Sequence, residues 1–182
     1  MIADGTANED FDAFVQRWLM LQAQVQAVIG CNQVACFASL DQGKSLARVA
    51  KQLLESDADG DSGGRHAMFL DVLQGHDSHL APVFGATGAC LEMPEEEVCR
   101  LLGFCAARDM ISATVRLALI GPLAGVRMLS TIDEAVEDGY RSSQRAIRAC
   151  DGDPVEAAGA SAPVIETIHP CHEILQTRLF RS

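Results

Sequence analysis

The sequence predicts an all-α fold, a single-domain helical bundle, and three observations carry that expectation. Of 182 residues, 48% are hydrophobic but only 5% aromatic, so a core must come from Leu, Val, Ile, Ala and Met, a mixture that favours helices over sheets. The stretch Phe104 to Leu123, read at 3.6 residues per turn, gathers Cys105, Arg108, Asp109, Ser112 and Arg116 into one polar stripe with apolar residues around most of the rest. A helix that is apolar over most of its circumference belongs inside a bundle, where two arginines and an aspartate are costly unless paired, so they read as either an internal brace or the wall of a polar channel. Helix punctuation also recurs: Gly121 is expected to supply a left-handed stop and Pro122 to block continuation.

The first helix is expected to start at Asn8, with Glu9 and Asp10 in the turn that the helix dipole makes favourable to acids. Phe11, Phe14, Val15, Trp18, Leu19, Gln22, Val25 and Ile29 then keep helical spacing with one glutamine among them, and Gly30 ends the run. Gly43-Lys44-Ser45 has the look of a phosphate-binding loop ending, but Ala38 stands where that motif needs glycine and no buried strand precedes it. The stretch therefore reads as the first turn of a helix with Leu46, Val49, Ala50, Leu53 and Leu54. Residues 56–65, SDADGDSGGR, are a polar loop by composition; Asp57, Asp59 and Asp61 lack the closing glutamate of a calcium loop.

His66, His76 and His79 follow, and the last two are spaced as metal ligands on a helix face can be, although surface or loop histidines are the favoured reading. Pro82 suits a first helical position, and Gly85, Ala86, Gly88 and Ala89 offer a smooth surface for close helix approach. Pro94 with Glu95, Glu96 and Glu97 opens another helix, which Val98, Leu101, Leu102 and Cys105 lead into the central stretch, bent near Gly103. Val126, Leu129, Ile132 and Val136 continue an apolar stripe. Arg141, Arg145 and Arg148 then form the clustered positive charge of the chain, of a kind that is usually a solvated face. A linker is expected at 151–163 and a tail at 164–182, with Val164, Ile165 and Ile168 on one side of a helix. Leu179 and Phe180 lie between Arg178 and Arg181; burying both is worth roughly 3–5 kcal/mol, so this end either docks on its own domain or receives another protein.

Composition also excludes functions. A net charge of -11 argues against a nucleic-acid partner and suits basic protein surfaces or metal cations. The N-terminus has no basic region followed by an apolar run, and the uncharged stretch Leu117 to Val126 is half the roughly 20 residues of a membrane helix. Seven cysteines, 31, 36, 90, 99, 105, 150 and 171, read as reduced, buried thiols of a cytoplasmic protein. No nucleophile motif, glycine loop or carboxylate pair for acid-base work is present, which favours a non-enzyme. His169-Pro170-Cys171-His172 packs three potential soft-metal ligands into four residues, and His169, Cys171 and His172 can converge if Pro170 breaks the helix.

Four blocks resemble the UreF-type urease accessory proteins: Ser39-Leu40-Asp41-Gln42-Gly43-Lys44-Ser45-Leu46; His79-Leu80-Ala81-Pro82-Val83-Phe84-Gly85; Ala107 to Leu117 continuing to Gly121-Pro122-Leu123; and Cys171-His172 with Arg178-Leu179-Phe180. They run in the family's order from about residue 37. The family's small-residue N-terminal segment is not found ahead of them, residues 56–65 look inserted, and Pro170 interrupts the tail. The resemblance implies an all-helical, non-enzymatic cytosolic homodimer that helps load nickel into apo-urease, with no cofactor of its own, in complex with UreD (also called UreH) and the GTPase UreG. It implies partner contacts at Arg108, Asp109, Ser112 and Arg116 on the central helix and at Cys171, His172, Arg178, Leu179, Phe180 and Arg181 in the tail. The tail would be ordered by UreD, and Arg116 or Arg178 would touch the GTPase or its complex, an internal salt bridge being the equal alternative for Arg116. The alternative is a direct nickel carrier or metal-dependent enzyme built on His169, Cys171 and His172, helped by His76 and His79.

Overall fold

A computed structural model describes residues 4–55, 72–73, 76–159 and 163–174. Helices α1 (Asp4–Ile29), α2 (Gln33–Glu55), α3 (Leu80–Cys90), α4 (Glu95–Arg116), α5 (Pro122–Leu129), α6 (Ile132–Ala149) and α7 (Pro163–Ile168) are followed by a 3-10 helix, His169–Ile174. The all-α class holds, with no strand among the described residues. The chain divides into two compact units, Met1–Thr87 with Gly159–Ser182, and Gly88–Ala158.

The first unit is built on the stripe of α1. Trp18 is buried with Ala47, Ala50, Leu73 and Val83, and Phe14, Leu46, Leu54, Val72 and Ala86 pack against this cluster. The helix begins at Asp4, so Asn8 lies inside it and is not its cap. On α2 the inward face is made of small residues; Val49 and Leu53 point outward, and Gly43, Ala47 and Ala50 let neighbouring chain approach the opposite side closely. A Cβ at Gly43 would fall on the backbone carbonyl of Ser78 and lie 2.9 Å from the His79 carbonyl carbon. Asn32 starts α2: its Oδ1 accepts the Ala35 N–H at 3.1 Å, the geometry of an N-cap. α3 begins at Leu80, two residues before Pro82, with Val83 N–H donating to the His79 carbonyl.

The second unit pairs α4 with α5 and α6. Contrary to the expectation of an internal central helix, α4 buries only Val98 and Ile111, while Met110 is 65% exposed. Its polar stripe therefore needs no internal brace. Glu95 to Arg116 is one unbroken helix, and the stop is not Gly121. Ala118 takes the left-handed conformation (φ 56°), with Leu119 N–H on the Thr114 carbonyl and Ala118 N–H on that of Val115: a Schellman stop with alanine in the glycine position. Glu92 (φ 55°) ends α3 and Asp151 (φ 52°) ends α6 with the same six-to-one bond, from Met93 to Gly88 and from Gly152 to Ile147. Gly121 is extended (φ -75°, ψ 157°) and caps α5, with Pro122 in its first turn.

Close approach in this unit is made onto side chains. Gly88 receives the Val98 side chain, and a Cβ at Gly125 would lie 2.7 Å from Val115 Cγ2, whereas nothing lies near a Cβ at Gly85. The smooth surface expected at 85–89 is thus used at Gly88 alone of its two glycines. The apolar run from Val126 to Val136 is divided between α5 and α6, with Ser130 and Thr131 separating them. α6 passes through Gly139 and carries acids in its first turn and Arg148 in its last, as its dipole favours. Residues after it form a turn in which Asp153 Oδ1 accepts Val155 N–H (2.8 Å) and Glu156 N–H (3.2 Å).

Candidate functional site

In the second unit, α4 and α5 enclose an open groove of about 420 Å³, and the four residues predicted on the central helix line it. Arg108 donates from Nη2 and Nε to Asp109 Oδ1 at 2.8 and 3.1 Å, and Arg116 Nη2 donates to Ser112 Oγ at 3.0 Å. Asp109 holds the Arg108 guanidinium charged, raising its pKa by accepting these hydrogen bonds. Ile111, Val115 and Val126 supply apolar lining. Gly125 permits α5 to sit this close to α4, because any side chain would meet Val115. Beside the groove, Leu119 is 70% and Leu123 82% exposed. The arrangement places fixed charge of both signs at the edge of a greasy slot, which is the composition of a protein-docking surface.

The first unit holds a different kind of polar cluster. His79 is 2% exposed; its Nε2–H donates to Gln26 Oε1 (3.1 Å), and its Nδ1 accepts from Ser39 Oγ (3.2 Å). Ser39 Oγ accepts in turn from Leu80 N–H at 3.2 Å, Gln26 Oε1 accepts also from Cys36 Sγ at 3.2 Å, and Gln22 Oε1 accepts the His79 N–H at 2.8 Å. One neutral tautomer satisfies all these bonds. Burial pushes the His79 pKa below the ordinary histidine value. Both ring nitrogens are occupied, and His76 sits in an exposed bend with Nδ1 against the Val72 carbonyl, so the two histidines do not form the metal pair that their spacing allowed. Gln22, the one glutamine in the α1 stripe, is 7% exposed and is there to hold the backbone of His79.

The tail candidates separate. His169 Nδ1 accepts from Asn32 Nδ2 at 3.0 Å, which ties the 3-10 helix to the start of α2, and Cys171 is exposed. The His172 side chain and Arg178, Leu179, Phe180 and Arg181 lie outside the described residues. Among the described residues, no three His, Cys, Asp or Glu side chains are grouped to hold a metal ion. All seven cysteines are free thiols, but only Cys36 is buried; Cys31, Cys99 and Cys171 are exposed, against the expectation of buried thiols. Burial raises the pKa of the half-buried Cys90.

Sequence reasoning missed Asn32 and Arg100. Asn32 had a readable signal, an asparagine just before an apolar run. Arg100 donates to Glu137 Oε2 (2.8 Å) and Glu96 Oε2 (3.0 Å) and lies 4.3 Å over the Tyr140 ring, while Arg141 donates to Glu137 Oε1 at 2.9 Å. The Glu96–Arg100 and Glu137–Arg141 pairs were visible at four-residue spacing; their union across α4 and α6 was not. Hydrogen bonding from Arg100 holds the Glu137 carboxyl below the usual carboxylate range.

No helix among the described residues is long and apolar enough to cross a membrane. A family model described as UreF matches residues 5–133, so the likeness begins well ahead of residue 37 and includes α1. The chain is 30% identical to urease accessory protein F of Oryza sativa subsp. indica over 180 residues, covering 96% of this chain and 62% of the relative. It is 28% identical to urease accessory protein F of Arabidopsis thaliana (92% and 65% covered) and 28% identical to urease accessory protein UreF of Cereibacter sphaeroides (78% and 64% covered). The chain thus spans less than two thirds of the length of these relatives. No solved structure matches it.

Proposed function

Because the chain belongs to the UreF family, we propose that it acts in the cytoplasm as a non-catalytic accessory protein of urease maturation, a scaffold in the delivery of nickel to apo-urease. The observation that supports this reading is the family match over residues 5–133, which takes in α4 and its groove. On this reading, nickel is cargo, and UreD, the GTPase UreG and apo-urease are the partners of a homodimer of this chain. Arg108, Asp109, Ser112 and Arg116 would contribute the α4 contact, and Cys171, His172, Arg178, Leu179, Phe180 and Arg181 the tail contact.

An exposed apolar slot with charged edges favours binding of a folded partner, since burying such surface is the main driving force of association and the charges set orientation. The reading as a direct nickel carrier is weaker. His169 already accepts a hydrogen bond from Asn32, and convergence with Cys171 would have to use its other nitrogen.

Co-purification with UreD and UreG tests the proposal. The intact chain should bring down both, a chain ending at Gln176 should lose UreD, and Arg108→Glu or Arg116→Ala should reduce complex formation or GTP turnover. Full assembly by all three altered chains would sink the assignments. Stoichiometric nickel binding by the purified chain, with no partner capture, would favour the carrier.

A further inference from the structure

We infer that the C-terminal half of α6 is a second docking surface, a directional groove for an acidic protein segment. Asp138, Tyr140, Arg141, Gln144, Arg145 and Arg148 line a groove of about 430 Å³. At 1.5 Å rise per residue, Arg141, Arg145 and Arg148 are spread over about 10 Å of helix and lie within about 60° of one another. The first eight residues of α6 contain four acids and no base, and the last ten three arginines and no acid, in a chain of net charge -11.

The helix dipole accounts for Arg148 in the last turn, but not for Arg145. Arg141 and Arg145 are four apart, where like charges repel on an isolated helix. Glu137, four residues before Arg141, already receives Arg100 and Arg141. Among the described residues, Arg145 and Arg148 have no ion-pair partner, and both are exposed. One wall is prepared in advance: the Tyr140 ring lies against the Arg100 guanidinium, which Glu96 and Glu137 fix from two sides.

The spacing selects the occupant. Three guanidinium groups strung along a line do not converge on one phosphate, and Asp138 at the groove's end would repel a dianion. Nucleic acid draws its affinity from many neutralised phosphates, which three cations on an acidic chain do not supply. A helix or strand with carboxylates opposite the arginines and one lysine or arginine opposite Asp138 matches every charge, and Asp138 fixes its direction.

The test uses the full chain and a fluorescein-labelled, end-capped helical peptide with one lysine followed by three glutamates at helical spacing. Binding should weaken with salt, and Arg145→Glu with Arg148→Glu should reduce affinity by about tenfold or more. Arg17→Glu with Arg48→Glu, which changes net charge equally at exposed positions elsewhere, should leave it within about twofold. The neutral pair Arg145→Gln with Arg148→Gln should fall between, and circular dichroism should be unchanged throughout. Absence of peptide binding, equal loss in the control pair, tighter binding of inorganic phosphate or a single-stranded oligonucleotide, or a reversal pair whose effect is only to dissociate a dimer of this chain, would each overturn the proposal.

Discussion

Glycine does opposite work in the two units. Gly43 in α2 meets backbone, the Ser78 carbonyl and the peptide that follows it; Gly125 in α5 meets the methyl groups of Val115 and Ile111. Backbone held by its own hydrogen bonds cannot yield, whereas a valine can change rotamer. The polar groups follow the same division. Around His79 they bond inward to one another, and along α4 and α6 they pair at the surface where water competes. The first unit invests its special residues in holding itself together, and the second leaves them available at its surface.

If that contrast is sound, Gly43→Ala is the most damaging change. It should cost about 3 kcal/mol or more, read as a lower urea midpoint, because the added carbon displaces backbone at Ser78 to Leu80. His79→Ala comes next, at about 2–4 kcal/mol, since it leaves Gln26 and Ser39 without their ring partner inside the fold. His79 also gives a pH signature. Its native pKa is depressed, so below about 6.5 the unfolded chain takes up a proton that the native ring refuses. Stability from this group is present above that pH and lost as pH falls, by at most about 1.4 kcal/mol per pH unit. Urea titrations at several pH values should show a flatter profile for His79→Gln; parallel profiles would refute the buried neutral ring. Glu137, held below the usual carboxylate range, loses its contribution at lower pH and does not blur this window. Gly125→Ala should cost less than Gly43→Ala, about 1–2 kcal/mol, because only side chains must move. Equal costs would erase the distinction between the units.

How much of this was legible depended on whether a residue's role was local. The α1 stripe, the acid-first start of α4 and the helical state of Gly43-Lys44-Ser45 could be read because they rest on spacing and dipole sense, although those three residues lie in the middle of α2 and not in the first turn expected of them. The grouping of Arg108, Asp109, Ser112 and Arg116 on one side of a helix followed from the same period. What failed was the step from pattern to burial: α4 looked internal because its apolar residues surround it, yet Met110 is exposed, as are Leu117 and Leu119 just past its end. The stop of α4 was misplaced for a different reason. Sequence logic looks for glycine at a left-handed residue, and in this unit Glu92, Ala118 and Asp151 take that place. The His79 cluster was illegible because Gln22, Gln26, Ser39 and His79 meet only through tertiary contact.

Those stops supply a stabilising change. An L-residue in the left-handed region is strained, and glycine is not, although glycine loses more freedom on folding. The balance at Ala118 should favour Ala118→Gly by about 0.5–1 kcal/mol, with a higher midpoint. Asp151→Gly should gain less, because Asp tolerates this conformation better than Ala.

The smallest effect on stability should come from the groove itself. Arg116 is exposed and donates to Ser112 on its own helix, an interaction that water replaces at little cost. Arg116→Ala should therefore shift stability by no more than about 0.5 kcal/mol, while partner capture in the maturation complex falls. The two readouts must be taken on the same preparation. A large fall in the urea midpoint would make Arg116 a structural residue and return α4 to the role of an internal brace; a stable variant with undiminished capture would leave the groove folded but place the docking contact elsewhere.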